Sequence, residues 1–167
     1  LTTDLDAVYR ALGEFVLCFL ALEHEIQQLG AVALNVNDQF TEIQRLRDFT
    51  FSKQVQRVQR AVEEQVRRYV PAHAEPHVEP YLARVATVLS DCQRLIQKRN
   101  ELMHSSYHYA ESFDTLLGIL RSYQGPATGA LHQEWVSPAN FVQVSREVAA
   151  AAFQVGHLRT QLIHWLP

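Results

Sequence analysis

The chain has 167 residues, 47% hydrophobic and 20% charged, with a net charge of −3. That length can bury a sizeable core in one domain, 1–167, without disulfides or structural metal, and the composition is that of an ordinary soluble globular protein. The longest apolar run, "FVLCFLAL" at 15–22, is flanked by Glu14 and Glu23. It falls well short of the roughly twenty residues that span a bilayer. Asp4 and Asp6 stand where a secretory signal needs positive charge, so the expectation is a cytoplasmic protein with no membrane partner. Cys18 and Cys92 are far apart, each inside an apolar run. They read as small core hydrophobes in a reducing compartment, not as a disulfide or a CxxC site.

The small net charge conceals an uneven distribution. Residues 1–38 carry six acids against Arg10, a balance of −5, whereas residues 45–99 carry eleven bases against six acids, a balance of +5. Clustered Arg and Lys permit a polyanion partner on one side of the molecule; the plainer reading is a solvated helix face.

In chain order, Leu5, Val8, Leu12, Phe15, Phe19, Leu22, Ile26 and Leu29 recur in steps of three and four, one face of a long helix. Val16, Cys18 and Leu20 extend that surface most of the way round. Such a helix is expected to be buried on two sides, by a central position or by a second subunit. After a less regular stretch, Ser52 is placed to cap a second helix bearing Val55, Val58, Val62, Val66 and Tyr69, which ends before Pro71. The segment "PAHAEPHVEP", with three prolines, is a connection whose last turn can open the next helix. The third helix runs from about Tyr81 through Val85, Val88, Cys92 and Leu95 toward His104. Its stripe, continued, lands on Arg99, where periodicity predicts a core residue.

Beyond it, "TLLGILRSY" and "GALHQEWV" are short, rich in branched or aromatic residues and separated by "QGPATG", which predicts two strands around a Gly/Pro loop. Ser137 as a cap and Pro138 at the first helical position then open a last helix. Its face is Phe141, Val144, Val148, Ala151, Val155, Leu158 and Leu162. The predicted fold is all-α: an up-and-down four-helix bundle with a short β-hairpin inserted before the last helix.

The residues that bear on chemistry are in "RNELMH", 99–104. At about 100° per residue, Asn100 and His104 lie about 40° apart on a helix, while Arg99 is about 140° from His104. One regular helix presents Asn and His together but does not close Arg onto the same histidine. A compact site therefore needs a second element or a second copy, and a two-fold dimer supplies one. These residue types suit RNA cleavage without metal. Histidine can take a proton from a ribose 2′-hydroxyl or give one to the leaving oxygen, arginine can hold the phosphate, and asparagine can orient either. The products are a cyclic phosphate and a free 5′-hydroxyl. Equally, cationic and amide side chains suit a helix's last turn, where they meet free carbonyls and the negative end of the dipole.

"RNELMH" resembles the Rx4H signature of the HEPN superfamily, in which Asn commonly follows the Arg and the motif lies late in a helix of a small bundle. The layout is similar too: a long first helix containing "LALEHEI", a second helix, the motif-bearing helix and a closing helix. The resemblance implies a homodimer whose motifs meet at the interface, and often a metal-independent endoribonuclease acting as a toxin or defence effector. Arg99, Asn100 and His104 would match the motif's catalytic arginine, polar residue and histidine. Lys98, Tyr107 and His108 flank them as candidates for substrate binding. RNA and an antitoxin protein are the partners so implied, with no cofactor and no metal. Some toxin members carry tyrosine two residues after the histidine; here that position is Ser106, and Tyr107 follows.

Other readings are weaker. Glu101 and His104 have the ExxH spacing of di-iron bundles, but the chain contains no second ExxH. On a continued helix His104 and His108, at i and i+4 with Glu111 nearby, would suit zinc. His73 and His77 lie among prolines, and His24, His132, His157 and His164 form no cluster in sequence. No Gly-rich phosphate loop or GxSxG elbow occurs. The non-enzymatic alternative is a dimeric helical binding or scaffold protein of the same fold, with Arg99 and Asn100 fixing subunit register.

Overall fold

In the computed structural model, which describes residues 5–111, 117–124 and 129–165, the first apolar stripe becomes α1, Leu5–Leu34. Val8, Phe15, Phe19, Leu22, Ile26 and Leu29 are buried along it. Within the single chain no central position covers the second side of α1: Val16, Leu17 and Leu20 are exposed and Cys18 is half-buried. The irregular stretch that follows contains a helix the sequence pattern did not disclose, α2, Gln39–Arg47. Asp38 caps it, accepting from the Thr41 N–H at 3.3 Å; hydrogen bonding from the Thr41 side chain, and then from that N–H, holds the Asp38 carboxyl below the usual carboxylate range.

Next comes α3, Phe51–Tyr69, whose N-cap is Thr50 and not Ser52. Ser52 instead sits in the first turn and clips α3 to the following long helix. Its hydroxyl donates to Gln93 Oε1 at 2.7 Å, and its carbonyl accepts from Gln93 Nε2 at 2.8 Å. Val55, Val58, Val62 and Val66 are buried, but Tyr69 is exposed where the stripe runs off the helix end. A 3₁₀ turn, Ala72–His77, leads into α4, Val78–Met103. Tyr81, Val85, Val88, Cys92 and Leu95 form its buried face. Burial pushes the Cys92 thiol up to about 12, leaving it a core residue without thiolate character.

Side-chain pairs give the helix directions. Between α1 and α3, Gln27 meets Gln54 and Gly30 meets Val58, so these two run the same way. Between α3 and α4, Ser52 meets Gln93 and Arg67 meets Glu79, so these run oppositely. The last helix, α5, Ala139–Trp165, opposes α4, since Tyr81 donates to the Leu158 carbonyl and Arg94 pairs with Glu147. It runs with α1, through Phe15 against Phe141 and Glu25 against Arg159. Up-and-down alternation therefore survives only by counting α2, which carries the chain back down α1, with Arg47 reaching Gln27 and Leu46 reaching Gly30. The four long helices alone do not alternate as a four-helix reading requires.

The predicted hairpin is present as β2, Leu117–Gln124, paired antiparallel with β3, Leu131–Trp135. The expected loop between them falls largely on 125–128, outside the described residues. A further strand, β1, Ser106–Glu111, pairs with β2 and makes the sheet three-stranded, in the order β1-β2-β3. The fold is thus mostly helical with a small sheet. At the start of α5 the Val142 N–H bonds to the Pro138 carbonyl at 3.1 Å, and Asn140 Oδ1 accepts from the Ser137 N–H at 2.6 Å. The turn is locked by Asn140 reaching back, and the Ser137 hydroxyl donates to it as well. Among the described residues, no helix is long and apolar enough to cross a membrane.

Candidate functional site at the end of α4

The last turn of α4 leaves carbonyls without helical partners, and other parts of the fold satisfy them. The His104 N–H donates to the Asn100 carbonyl at 2.9 Å, making His104 the C-cap. The Glu101 carbonyl accepts from the Ser105 hydroxyl at 2.5 Å and from Arg121 Nη2 at 3.1 Å. The Leu102 carbonyl accepts from the Tyr107 hydroxyl at 2.6 Å. Capping, which the sequence pattern allowed to Arg99, Asn100 and His104, falls to side chains of the sheet and the turn before it.

Arg121 is the centre of this junction. It is buried on β2, with Nε donating to Ser105 Oγ at 2.7 Å and Nη1 to Glu134 Oε1 at 2.8 Å. Its guanidinium lies 4.1 Å from the centroid of the Tyr123 ring. The register sets Tyr107, Arg121 and Glu134 in one row across the three strands. Sequence reasoning did not single out Arg121. The signal available was an arginine two residues from Ile119 and from Tyr123, at the strand parity that faces inward.

The six expected site residues are not brought into one cleft within a single chain. Arg99 is half-buried and borders a shallow groove with Phe19 and Leu20 of α1, Phe51 of α3 and Met103. Its Nη1 donates to Asn100 Oδ1 at 3.2 Å, so these two are together. His104 is exposed, its imidazole has no hydrogen-bond partner among the described residues, and it borders a different pocket, with Ser105, Ser106, Ser122 and Tyr123. The periodicity argument that Arg99 turns away from His104 agrees with this arrangement, although Arg99 is not a fully buried core residue as its stripe position implied.

The flanking residues are placed differently again. Lys98 Nζ pairs with Glu147 Oε2 at 3.4 Å, and Arg94 joins the same carboxylate at 3.1 Å, so Lys98 ties α4 to α5. Hydrogen bonds from Gln143 and then Arg94 hold the Glu147 carboxyl below the usual carboxylate range. Tyr107 spends its hydroxyl on the helix end; burial raises its phenol above the ordinary range. Tyr107 and His108 border an apolar cavity on the α1 side of the sheet, not the pocket that contains His104. Since α4 ends at Met103 and His108 lies on β1, the helical i, i+4 histidine pair considered for zinc does not form. Among the described residues no three His, Cys, Asp or Glu side chains converge as a metal site requires.

Exposed Lys53, Arg57 and Arg60 recur at helical spacing on the outer face of α3, followed in the same row by exposed Glu64 and by Arg67, which pairs with Glu79. No protein-family model matches the chain, and no curated protein or solved structure is significantly similar to it.

Proposed function

We propose that this chain is a metal-independent endoribonuclease of HEPN type, acting as a toxin or defence effector, with its site completed between two copies. The observation that carries the reading is the division of labour at the end of α4. Arg121, Ser105 and Tyr107 take the Glu101 and Leu102 carbonyls, so the side chains of Arg99, Asn100 and His104 are not spent on them. The exposed His104 imidazole is then left available for proton transfer, and the Arg99 guanidinium for a phosphate.

Two further features support it. Leu17 and Leu20 of α1 are 67% and 57% exposed, and Leu20 borders the Arg99 groove, so a second copy covering this stripe would also enclose Arg99. The basic row on α3 suits a polyanionic substrate. In the reaction the ribose 2′-oxygen attacks the adjacent phosphorus and the bond to the 5′-oxygen breaks. His104 accepts the 2′-hydroxyl proton or delivers one to the departing oxygen, Arg99 stabilises charge on the phosphoryl oxygens, and Asn100 holds Arg99 in place. Purified protein should cut labelled single-stranded RNA in EDTA, leaving cyclic phosphate ends, and the His104→Ala variant should be folded and inactive. Intact RNA across varied substrates, or equal cleavage by His104→Ala, rules the enzyme out.

A non-catalytic dimeric scaffold is the second reading, favoured by the Arg99–Asn100 hydrogen bond beside Phe19, Leu20 and Met103. It requires Arg99→Ala to weaken dimerisation in sedimentation, with no RNA cleavage by the unmodified chain.

A further inference from the structure

The cavity that Tyr107 and His108 border has a volume of about 330 Å³. Its floor is built by Val8 and Leu12 of α1, Ile119 of β2, and Val136 and Phe141 at the entry to α5. Val8, Val136 and Phe141 are almost wholly buried, so the cavity reaches into the core and is more than a surface depression. Tyr9 and Tyr109 stand on its rim and hydrogen-bond to each other through their hydroxyls, and each is substantially exposed. That bond is the main cause holding the Tyr9 phenol above its ordinary range.

We infer that this cavity is a binding site for a neutral aromatic molecule of one or two fused rings carrying one hydroxyl or ring N–H. Three features select that class. The volume lies at the small end of the range for ligand pockets, about 300–1,000 Å³, which admits a small ring system. Among the described residues no Lys, Arg, Asp or Glu borders it and His108 is its one basic side chain, so an ionised ligand would lose hydration without meeting a permanent counter-charge. The walls offer the Phe141 ring, two exposed phenols and the Met103 thioether, which favour an aromatic edge or face, and the Tyr9 and Tyr109 hydroxyls offer the polar contact.

The site also touches the end of α4. Met103 borders both this cavity and the Arg99 groove, and Tyr107 connects the rim to the Leu102 carbonyl. An occupant therefore bears on the segment that holds residues 99–104. The inference stands on the cavity alone and survives if the chain proves to be no ribonuclease.

The chain supplies its own reporter, because Met103 is its single methionine. The 167-residue chain labelled with [methyl-¹³C]methionine gives a Met103 methyl resonance, to be followed during titration with indole and, separately, with benzoate. Indole should shift that resonance saturably, with a Kd on the order of 0.1–1 mM for so small a ligand, and benzoate should leave it in place. Leu12→Trp, which puts a ring into the cavity from α1, should abolish the shift; if that variant loses its helical circular dichroism, Ile119→Trp serves from the sheet side. A resonance unmoved by indole overturns the inference, as does a shift that persists in a folded, filled variant. Equal binding of benzoate overturns the choice of a neutral ligand. A resonance that moves with protein concentration and not with indole assigns the surface to a second copy instead.

Discussion

The guanidinium of Arg121 meets Ser105, Glu134 and the Glu101 carbonyl while lying over Tyr123. A buried arginine with all these contacts cannot be trimmed cheaply, because truncation leaves a carboxylate and a helix-end carbonyl without their donor. Arg121→Ala is expected to lower stability by about 2–3 kcal/mol in urea denaturation. Arg121→Lys should recover less than half of that, since one ammonium cannot replace a planar fork. A loss within experimental error would show that the α4 end does not depend on the sheet. Glu147 sits at the other extreme, in a half-exposed pair with Arg94 and Lys98, where solvent screening limits the contribution to about 0.5 kcal/mol. Its folded pKa is depressed, chiefly by the Gln143 hydrogen bond and then by Arg94. Its stabilisation is therefore present above the unfolded carboxylate pKa and disappears as pH falls through the lower folded value. Glu147→Gln should be slightly less stable than the parent at pH 7, with the gap closing in acid; a gap that persists undiminished at low pH contradicts the ionic origin.

Among the elements, what could be read from sequence depended on how much of each signal is local. The stripes of α1, α4 and α5 are periodic over many turns, and the structure buries every residue named on α5, with Ser145 in addition. By contrast α2 has nine residues and buries only Glu42 and Leu46, too few for a period to show. β1, "SYHYAE", is exposed along most of its length, so it carries no apolar alternation to find. Residues 99–104 were legible because helix geometry alone separates Arg99 from His104. The Arg121 junction was not, since it joins residues 16 and 20 positions apart through strand pairing. Two glycines of α1 test the packing of that helix directly. A Cβ at Gly30 would lie 2.5 Å from Val58 Cγ2 and 2.8 Å from Leu46 Cδ1, whereas one at Gly13 meets nothing within 4 Å. Gly30→Ala should destabilise by about 1–3 kcal/mol, through displacement of α2 and α3. Gly13→Ala should stabilise by about 0.5–1 kcal/mol, because alanine restricts the unfolded chain without a clash. The two thermal midpoints should move in opposite directions, and a parallel shift would mean that the close approach at Gly30 is not tight.

At the scale of the whole molecule, the separation of Arg99 from His104 decides how many chains a functional site needs. Arg99 borders the groove toward α1 and α3, and His104 the pocket toward the sheet. Under the proposed function, the arginine of one copy must serve the histidine of the other, with the exposed α1 stripe as the surface that brings them together. Mixing Arg99→Ala chains with His104→Ala chains then restores activity, because a mixed dimer contains one site with both groups intact. Random pairing makes half the dimers mixed, and each has one of its two sites whole, so about a quarter of the unmodified activity is expected from two inactive parents. Leu17→Glu with Leu20→Glu, which places charge on the exposed stripe, should abolish both dimerisation and this rescue while the helical signal remains. Were the site contained within one chain, mixing would restore nothing, and the stripe variant would stay active as a monomer. The same mixture also separates catalysis from scaffolding. A dimer that forms, exchanges subunits and never cleaves leaves Arg99 as a contact that fixes subunit register.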